Sequence, residues 1–564
     1  MAKTQRVAYI AWIVRKIRKR IPLLLFKTLL CAAISFAAVQ FSLTTKSVVN
    51  SAISGDRSAL RISCAVMIGL SLFRLLGNTL VQFVGYDLNE KLERDFKRSI
   101  LRDILRSDYA YISRHHSGDL LQRMNGDAAA VYNGVTGLFG SLTSLVTSLA
   151  AAITALMQIA PEFTLFFGAA GILVASAALL CKRLLKQLSK DGSAANGRVG
   201  GFLHETVSKL MVIQALDLSR EVERRTDDVL DYRWSVRRRQ RNVHSISQFG
   251  ISLISAAGYL ATMLWCAGKL YAGEITYGDV TAMVALVGTV QSSAMSLPQM
   301  LPRFISISAS CDRIMELEAL PRQPDPDPVS ARALYSELTG FTAKHLTFSY
   351  DREPVMQDVS LTIPKGGLSV IIGQSGIGKS TLLKLLLGLY RPDSGSLTVD
   401  LPEGPIPVDR STRSLFSYAP QGNFLLSGTL RENLTFTNPD ATEAEIRSAL
   451  YVSAMDEYVA SLPDGLDTVL LENGAGLSEG QAQRLSLARA ILSGAPVLLL
   501  DEVTSALDSQ TEQTVLERIC ALPGKTCIAV THRSAALALA DNIIEVTENC
   551  MVLRTVQTCG SSKQ

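Results

Sequence analysis

A glycine-rich segment in the second half of the chain, Gly373 to Ser380, carries the residue types that hold a phosphate group. Its glycines, which include Gly376 and Gly378, let backbone amides approach an anion, and the dipole of a following helix favours negative charge. Lys379 is then placed to reach the β- and γ-phosphates of a nucleotide, and Ser380 to bind Mg²⁺. The segment therefore predicts a nucleotide site.

The flanking sequence supplies the strand and helix that such a loop needs. Leu368–Ile372 is a short apolar run typical of a strand, and Thr381–Leu389 is predicted to form a helix. From about residue 340 onward, strand-length apolar runs alternate with predicted helices, which is the pattern of an α/β domain.

A pair of acidic residues follows a second predicted strand. Val497–Leu500 is continuously apolar and is followed directly by Asp501 and Glu502. Taken alone, this pattern fits a core strand with a solvated acidic end equally well. Together with Lys379, it predicts Asp501 as a Mg²⁺ ligand and Glu502 as the general base for a water in line with the γ-phosphate.

The first half of the chain has the composition of a membrane protein. Hydrophobic residues make up 48% of the 564 residues and charged residues 19%, and this length calls for more than one domain. Crossing a bilayer core of about 30 Å takes about 20 helical residues. Six apolar stretches meet this requirement, and we predict spans at Ile21–Thr44, Ala59–Phe83, Val135–Ile159, Phe163–Leu180, Ile246–Leu264 and Thr276–Leu297.

The loops between the predicted spans alternate in charge. Loops 86–133 and 182–245 are long and rich in Lys and Arg, whereas the short loops carry at most one basic residue each. Basic loops stay cytoplasmic, which predicts a multi-pass protein of the cell (inner or plasma) membrane with both termini in the cytoplasm. The residues before Ile21 are predicted to form an interfacial helix. Because the basic residues flank apolar runs, no nucleic-acid partner is expected.

Polar residues within the predicted spans are costly in a bilayer and invite a functional interpretation. Arg74 lies deep in the second span, with Asn78 and Gln82 on the same helical stripe. We predict that Arg74 lines a polar cavity, with snorkelling or an interhelical pair as the alternatives. Lys27 is predicted to snorkel, and Gln248 and Gln291 are weaker cavity candidates.

These segments, together with the polar turn from Leu477 to Gln481, resemble an ATP-binding cassette (ABC) half-transporter of the exporter type. The resemblance covers nearly the whole chain, and its motifs occur in the family's order. It implies a multi-domain membrane protein, with an all-α six-span transmembrane domain followed by an α/β P-loop nucleotide-binding domain. The predicted limits are 1–310 for the transmembrane domain with its interfacial helix, 311–339 for a proline-rich linker, and 340–564 for the cassette.

The resemblance also implies roles for individual residues. Glu502, His532 and Gln421 would be catalytic, with His532 as the switch histidine, and Mg²⁺ would be held by Ser380, Gln421 and Asp501. Tyr350 would stack on adenine, Asp508 would belong to the loop that joins two ATP sites, and Ser478 and Gly480 would close over the ATP of a partner cassette. The implied nucleotide-contacting set is Tyr350, Gly373, Ser375, Gly376, Gly378, Lys379, Ser380, Thr381, Ser478, Gly480, Gln481 and Asp508.

Two departures from the family pattern affect individual contacts. Glu479 replaces the first glycine of the signature pair, and we expect it only to tune the ATP site. Val469 stands where exporters commonly carry a glutamate, which puts one contact with a coupling helix in doubt. The regions that match the two coupling helices are Tyr109–Ser117 and Val212–Glu221.

The resemblance implies an ATP hydrolase coupled to transport of a small molecule, lipid or peptide, with export favoured. It further implies a dimer that has two composite ATP sites and alternating access. A homodimer is favoured, because the catalytic positions are intact, and a heterodimer with a related half-transporter is the alternative. Two other functions stay open at this point: a siderophore-type importer on the exporter fold, and a regulatory half of a heterodimeric transporter.

Overall fold

The computed structural model describes residues 2–165, 167–168, 182–323, 331–350, 353–374, 376–422, 424–471, 474, 476–547 and 550–555. The chain forms two compact units. The first unit comprises Met1–Asp103 and Ser117–Ala319, and the second comprises Ile104–His116 and Leu320–Gln564. The first predicted coupling region thus packs mainly with the second unit. Residues 324–330 of the predicted linker 311–339 and Ser375 lie outside the described residues.

The N-terminal half of the chain is helical. In the described residues, five helical stretches are long and apolar enough to cross a membrane, and they match five of the six predicted spans, the last of them from Tyr277 onward. The remaining prediction, Phe163–Leu180, lies mostly outside the described residues. The helices are α1 (Ala2–Ile17), α2 (Ile21–Ser54), α3 (Arg57–Arg106), α4 (Tyr109–Ile112), α5 (Ser117–Gln122), α6 (Ala128–Ile159), α7 (Lys182–Ser208), α8 (Leu210–Ala215), α9 (Ser219–Tyr271) and α10 (Tyr277–Glu318).

Local sequence signals set several of the helix ends. α2 is followed by Gly55, whose φ of 74° is a left-handed conformation that glycine adopts without a steric penalty. α10 begins at a capping box, in which the Thr276 hydroxyl accepts from the backbone amide of Asp279 and the carboxylate of Asp279 accepts from the amide of Thr276. Lys46 on α2 pairs with the same carboxylate at 2.6 Å, so the cap also joins two helices.

Two of the polar residues predicted to face a cavity have defined surroundings. The guanidinium of Arg74 lies over the ring of Phe41 at 5.6 Å, and its buried Nε has no hydrogen-bond partner among the residues that the structure describes. The amide of Gln291 accepts from the Ser255 hydroxyl at 2.9 Å and donates to the Ser255 carbonyl at 3.1 Å. Gln291 therefore links α9 and α10, whereas the cavity role of Arg74 stays a prediction.

The second unit is an α/β structure, and its described residues form three sheets. A four-stranded antiparallel sheet has the order β2-β1-β4-β5, a six-stranded sheet has the order β12-β11-β3-β10-β9-β6, and β7 pairs with β8. The strands are β1 (Gly340–Tyr350), β2 (Glu353–Pro364), β3 (Gly367–Gly373), β4 (Ser394–Asp400), β5 (Ile406–Pro407), β6 (Phe416–Ala419), β7 (Gly428–Thr429), β8 (Val469–Leu470), β9 (Val497–Asp501), β10 (Thr526–Val530), β11 (Asn542–Thr547) and β12 (Cys550–Thr555). The helices are α11 (Ala331–Glu337), α12 (Lys379–Leu386), α13 (Leu430–Thr435), α14 (Glu443–Val452), α15 (Asp456–Ser461), α16 (Glu479–Leu492), α17 (Ser509–Cys520) and α18 (Ser534–Leu539).

The parallel strands of the six-stranded sheet position the candidate site. β6, β9, β10, β3 and β11 run in the same direction, and β9 and β10 are completely buried, as their continuous apolar sequences require. Val530 is in register with both Asp501 and Ile371. The carboxyl ends of these strands therefore meet at one edge, which is where open α/β sheets bind ligands.

Candidate functional site

The loop after β3 has a backbone that only glycine accommodates. Gly373 and Gly378 have φ values of 152° and 104°. A Cβ atom at Gly373 would lie 2.5 Å from the carbonyl oxygen of Val546, and one at Gly378 would lie 2.8 Å from Cγ1 of Val355. Gly378 is the residue before α12, so the positive end of this helix dipole points into the loop. The geometry is that of an anion-binding loop.

Lys379 is held against the loop that precedes it. Only 5% of the residue is exposed, and its ammonium donates to the carbonyl oxygens of Gly373 and Gln374, both at 2.8 Å. Burial lowers the pKa of Lys379, and the nearby carboxylates of Glu502 and Asp501 offset part of that shift. The buried cation thus lies within the loop that would receive the phosphates.

Asp501 binds two hydroxyl groups at the carboxyl end of β9. Ser380 donates to its Oδ1 at 2.8 Å, and Tyr418 on the neighbouring strand β6 donates to its Oδ2 at 3.0 Å. Burial, reinforced by the charge of Asp501, raises the pKa of Tyr418, so the phenol stays a hydrogen-bond donor. The hydroxyl of Ser380 and the carboxylate of Asp501 fit Mg²⁺, which binds few protein carboxylates beside substrate phosphates. Sequence reasoning did not identify Tyr418, although it precedes Gln421 by only three residues.

The three residues predicted to be catalytic meet at the same sheet edge. The side-chain amide of Gln421 donates to Oε2 of Glu502 at 2.6 Å, and Nε2 of His532 lies 4.0 Å from Oε1 of the same carboxylate. The backbone amide of Glu502 donates to the carbonyl of Val530 at 3.0 Å. The Glu502 carboxylate is therefore positioned between an amide and an imidazole, directly after the Asp501 that binds Ser380.

The predicted signature residues form a capped helix start. The hydroxyl of Ser478 accepts from the backbone amide of Gln481 at 3.2 Å, and the Gln481 side chain accepts from the amide of Ser478 at 2.8 Å. A Cβ atom at Gly480 would lie 3.0 Å from the carbonyl oxygen of Ala506. In the described residues, no hydrogen bond joins this group to the loop around Lys379. One chain thus presents the predicted nucleotide residues as two separate groups.

Tyr350 lies at the end of β1, close to the phosphate-loop helix. Its hydroxyl is 3.3 Å from Oγ1 of Thr381, and its ring packs edge-on against Phe348 and Tyr390 with centroid distances of 5.0 and 5.2 Å. The ring is half-buried, so it is both part of the strand packing and accessible. Adenine stacking by Tyr350 stays a prediction.

Comparison with known proteins identifies the family. The family model for the ABC transporter transmembrane region matches residues 23–294, and the ABC transporter model matches residues 356–505. A mycobactin import ATP-binding/permease protein of Mycolicibacterium smegmatis is 30% identical over 427 residues, which cover 74% of this chain and 73% of the relative. The chain belongs to the ABC transporter family. A probable multidrug resistance ABC transporter ATP-binding/permease protein of Bacillus subtilis is 29% identical over 441 residues, 77% of this chain and 74% of that protein.

The overall fold agrees with this assignment. A bacterial Atm1-family ABC exporter with ATP bound superposes with a TM-score of 0.81 at 20% sequence identity, covering 95% of each chain. The predicted fold class, a helical transmembrane domain followed by a nucleotide-binding domain, is confirmed. The protein is thus a membrane-spanning ABC transporter whose ATP-binding domain couples ATP hydrolysis to transport.

In this ABC transporter, three polar side chains hold the segment between Glu502 and Asp508. Gln483 on α16 donates to the Ser505 hydroxyl at 3.1 Å. Glu512 on α17, which is 2% exposed, accepts from Thr504 at 2.8 Å and lies 3.6 Å from Arg533. Arg533, which directly follows His532, also donates to the Ser505 carbonyl, so both α16 and the residue after His532 bind the segment between Glu502 and Asp508. Sequence reasoning missed these contacts.

Asp508 ends this segment by capping α17. Its carboxylate accepts from the backbone amide of Thr511 at 3.0 Å. Hydrogen bonds from Thr511 lower the pKa of Asp508 below its ordinary value. Asp508 therefore has a local structural role as the cap of α17, in addition to the role between two ATP sites that the family pattern implies.

Glu479 allows a test of the departure from the signature pattern. In Glu479→Gly, we expect the KM for ATP to fall a few-fold, because a carboxylate no longer lies beside the predicted contact with the phosphates. We also expect the free energy of unfolding to fall by about 1 kcal/mol, since α16 loses a favourable charge in its first turn and gains a flexible glycine. Steady-state ATPase assays and thermal melts measure the two effects.

Glu479→Gln is the matched control, because it removes the charge and keeps the size of the side chain. It should reproduce the change in KM with less destabilisation. An unchanged KM in both variants would show that this carboxylate does not act on the bound nucleotide.

Proposed function

We propose that this transporter uses Mg²⁺-dependent ATP hydrolysis to export a small molecule, a lipid or a peptide. The proposed hydrolysis is supported by one observation: Gln421 and His532 both lie against the carboxylate of Glu502, the residue that follows Asp501. Glu502 accepts a proton from the attacking water, Gln421 orients this carboxylate, and His532 contacts the γ-phosphate. Lys379, which is buried against the loop, binds the β- and γ-phosphates.

Mg²⁺ fits the donor set at the carboxyl end of β9. Ser380, Asp501 and Gln421 would hold the ion, and all three offer oxygen ligands. When bound, the ion neutralises charge on the phosphate oxygens. Tyr418 keeps the Asp501 carboxylate in place through its hydrogen bond.

Two copies of the cassette are needed to complete each ATP site. Within one chain, the group around Lys379 and the group around Ser478 are separate, and each has its own local hydrogen bonds. In the proposed dimer, Ser478, Gly480 and Gln481 of one cassette close over the ATP that the other holds. A homodimer is favoured, because Glu502 and His532 are both present, and a heterodimer with a related half-transporter is the alternative.

The likeness to the ATP-bound exporter structure supports export as the proposed direction. The relative named for mycobactin import makes import the alternative. In the proposed topology, both termini and the cassette lie in the cytoplasm of the cell.

The direction of transport can be tested with compounds that stimulate the ATPase activity of the lipid-reconstituted protein, which would be selected first. Their ATP-dependent movement would then be measured in inverted vesicles and in intact cells. Accumulation inside inverted vesicles supports export, and ATP-dependent uptake by intact cells would overturn it in favour of import.

A further inference from the structure

Four aromatic side chains, Tyr109, Phe348, Tyr350 and Tyr390, form one cluster in the second unit. Tyr390 is at its centre, with ring centroids 5.6 Å from Tyr109, 5.4 Å from Phe348 and 5.2 Å from Tyr350. The Tyr109–Tyr390 and Tyr350–Tyr390 pairs are both edge-to-face, with interplanar angles of 82° and 88°. We call these four residues the aromatic cluster.

The aromatic cluster joins three segments: the start of α4, the end of β1, which contributes both Phe348 and Tyr350, and the residues that follow α12. Tyr109 begins α4, in the predicted coupling region Tyr109–Ser117, and Tyr350 ends β1, where adenine is proposed to stack. Tyr390 follows α12, the helix that begins at Lys379. The hydroxyl of Tyr390 also lies 3.4 Å from that of Ser113. Tyr390 thus contacts the coupling region on one side and the proposed adenine aromatic on the other.

Backbone contacts hold segment 104–116 in place independently of its aromatic ring. The amide of Asp108 donates to the carbonyl of Pro321 at 2.8 Å, and Ser107 forms a bridge with Arg322. The Asp108 carboxylate also caps α4 by accepting from the amide of Ala110 at 3.1 Å. Replacing Tyr109 should therefore remove the ring contact while leaving the segment docked.

We propose that Tyr390 is a positioning residue that couples segment 104–116 to the adenine side of the ATP site. Edge-to-face pairs are orientation-dependent, so the two pairs together fix the Tyr390 ring and, through it, the ring of Tyr350. Stacking of adenine on Tyr350 then favours the arrangement in which Tyr109 is packed, and packing of Tyr109 favours nucleotide binding by the same factor. The inference rests on the proposed adenine role of Tyr350.

The test is a double-mutant cycle on the full-length protein in lipid nanodiscs, with the Kd of a fluorescent ATP analogue as the readout. Tyr109→Ala is expected to raise the Kd about fivefold, at the low end of typical coupling between sites. In a Tyr350→Ala background, the same substitution should have no further effect. In a Tyr390→Leu background, the coupling between Tyr109 and Tyr350 should disappear, whereas Tyr390→Phe should retain it because the ring remains.

Tyr451→Ala is the matched control. This tyrosine is half exposed and packs on Arg518 with its ring 3.8 Å away, outside the aromatic cluster. It should show no coupling to Tyr350. If Tyr350→Ala impairs folding, Tyr350→Leu keeps apolar bulk at the end of β1 and serves in the same cycle.

The outcomes separate the proposal from the proposed function. If Tyr350→Ala weakens binding but its effect simply adds to that of Tyr109→Ala, the coupling through Tyr390 is overturned and the adenine role stands. If Tyr350→Ala leaves the Kd unchanged, the adenine role fails and the coupling proposal fails with it. Coupling that persists in Tyr390→Leu would assign the path to other residues and also overturn the proposal.

Discussion

Glu502→Gln is expected to bind ATP with near-normal affinity and to lose turnover by about three orders of magnitude, the scale of a general base. The amide cannot accept the proton of the attacking water, but it preserves the size of the side chain. Its carbonyl oxygen can still accept from Gln421, whose amide lies 2.6 Å from the carboxylate in the structure. The geometry of the site should therefore survive while proton transfer does not.

Two measurements on the purified protein in lipid check this expectation. Phosphate release should fall nearly to background, and incubation with Mg²⁺ and ATP should leave ATP stably bound after removal of free nucleotide. Glu517→Gln is the matched control, because Glu517 is an exposed carboxylate on α17 that accepts from Gln513 at 2.9 Å. Turnover in Glu502→Gln that stays near that of Glu517→Gln would contradict the assignment of Glu502 as the base.

Mixing two inactive variants should restore ATP hydrolysis if each site is composite. Lys379→Ala removes the buried cation of the phosphate loop, and Ser478→Arg places a large side chain at the exposed start of α16. Each variant alone should lack activity, because both of its sites are damaged. A mixed dimer contains one intact site of two. Because random pairing makes about half of the dimers mixed, roughly a quarter of wild-type turnover should be restored.

A second mixture supplies the control. Lys379 and Glu502 belong to the same group of residues, so a mixed dimer of Lys379→Ala with Glu502→Gln has a defect in each site and should stay inactive. Co-expression followed by purification through two different affinity tags would isolate the mixed dimers, in which the expected turnover rises to about half that of wild type, since one of two sites is intact. No recovery in the first mixture, or equal recovery in both, would rule out the composite homodimer.

The sheet edge that holds the candidate site was predictable from sequence, because strand order is not needed to infer it. Asp501 and Gly373 each follow a buried apolar run, and parallel strands bring such ends to one edge. Tyr418 was missed because its role depends on β6 lying beside β9, a pairing that no local pattern reveals. The contacts of Gln483, Glu512 and Arg533 were missed because they join separate elements whose packing no local pattern reveals.

The predicted spans located the apolar part of the membrane helices but not their ends. The second span was predicted at Ala59–Phe83, and α3 continues to Arg106, in agreement with the helical spacing of Leu88, Leu92 and Ile100 in the charged sequence that follows. An apolar run reports the thickness of the bilayer, and a helix can continue beyond it with a charged sequence. Segment 104–116 packs mainly with the cassette, and the match of Tyr109–Ser117 to a coupling helix indicates such docking, but no local pattern indicates that the docked segment begins within α3, at Ile104.

The backbone conformation of Glu502 is expected to lower the stability of the fold at a residue that ATP hydrolysis is proposed to need. Its φ of 52° lies in the left-handed region, which is unfavourable by roughly 1 kcal/mol for most residues and is better tolerated by Asn or Gly. Glu502→Asn is therefore expected to raise the melting temperature of the cassette while turnover is lost. In a library of variants of this transporter that is selected only for thermal stability, glutamate at position 502 should be replaced by residues that tolerate this φ. The variants that gain stability at this position would then be the ones that lose ATP hydrolysis.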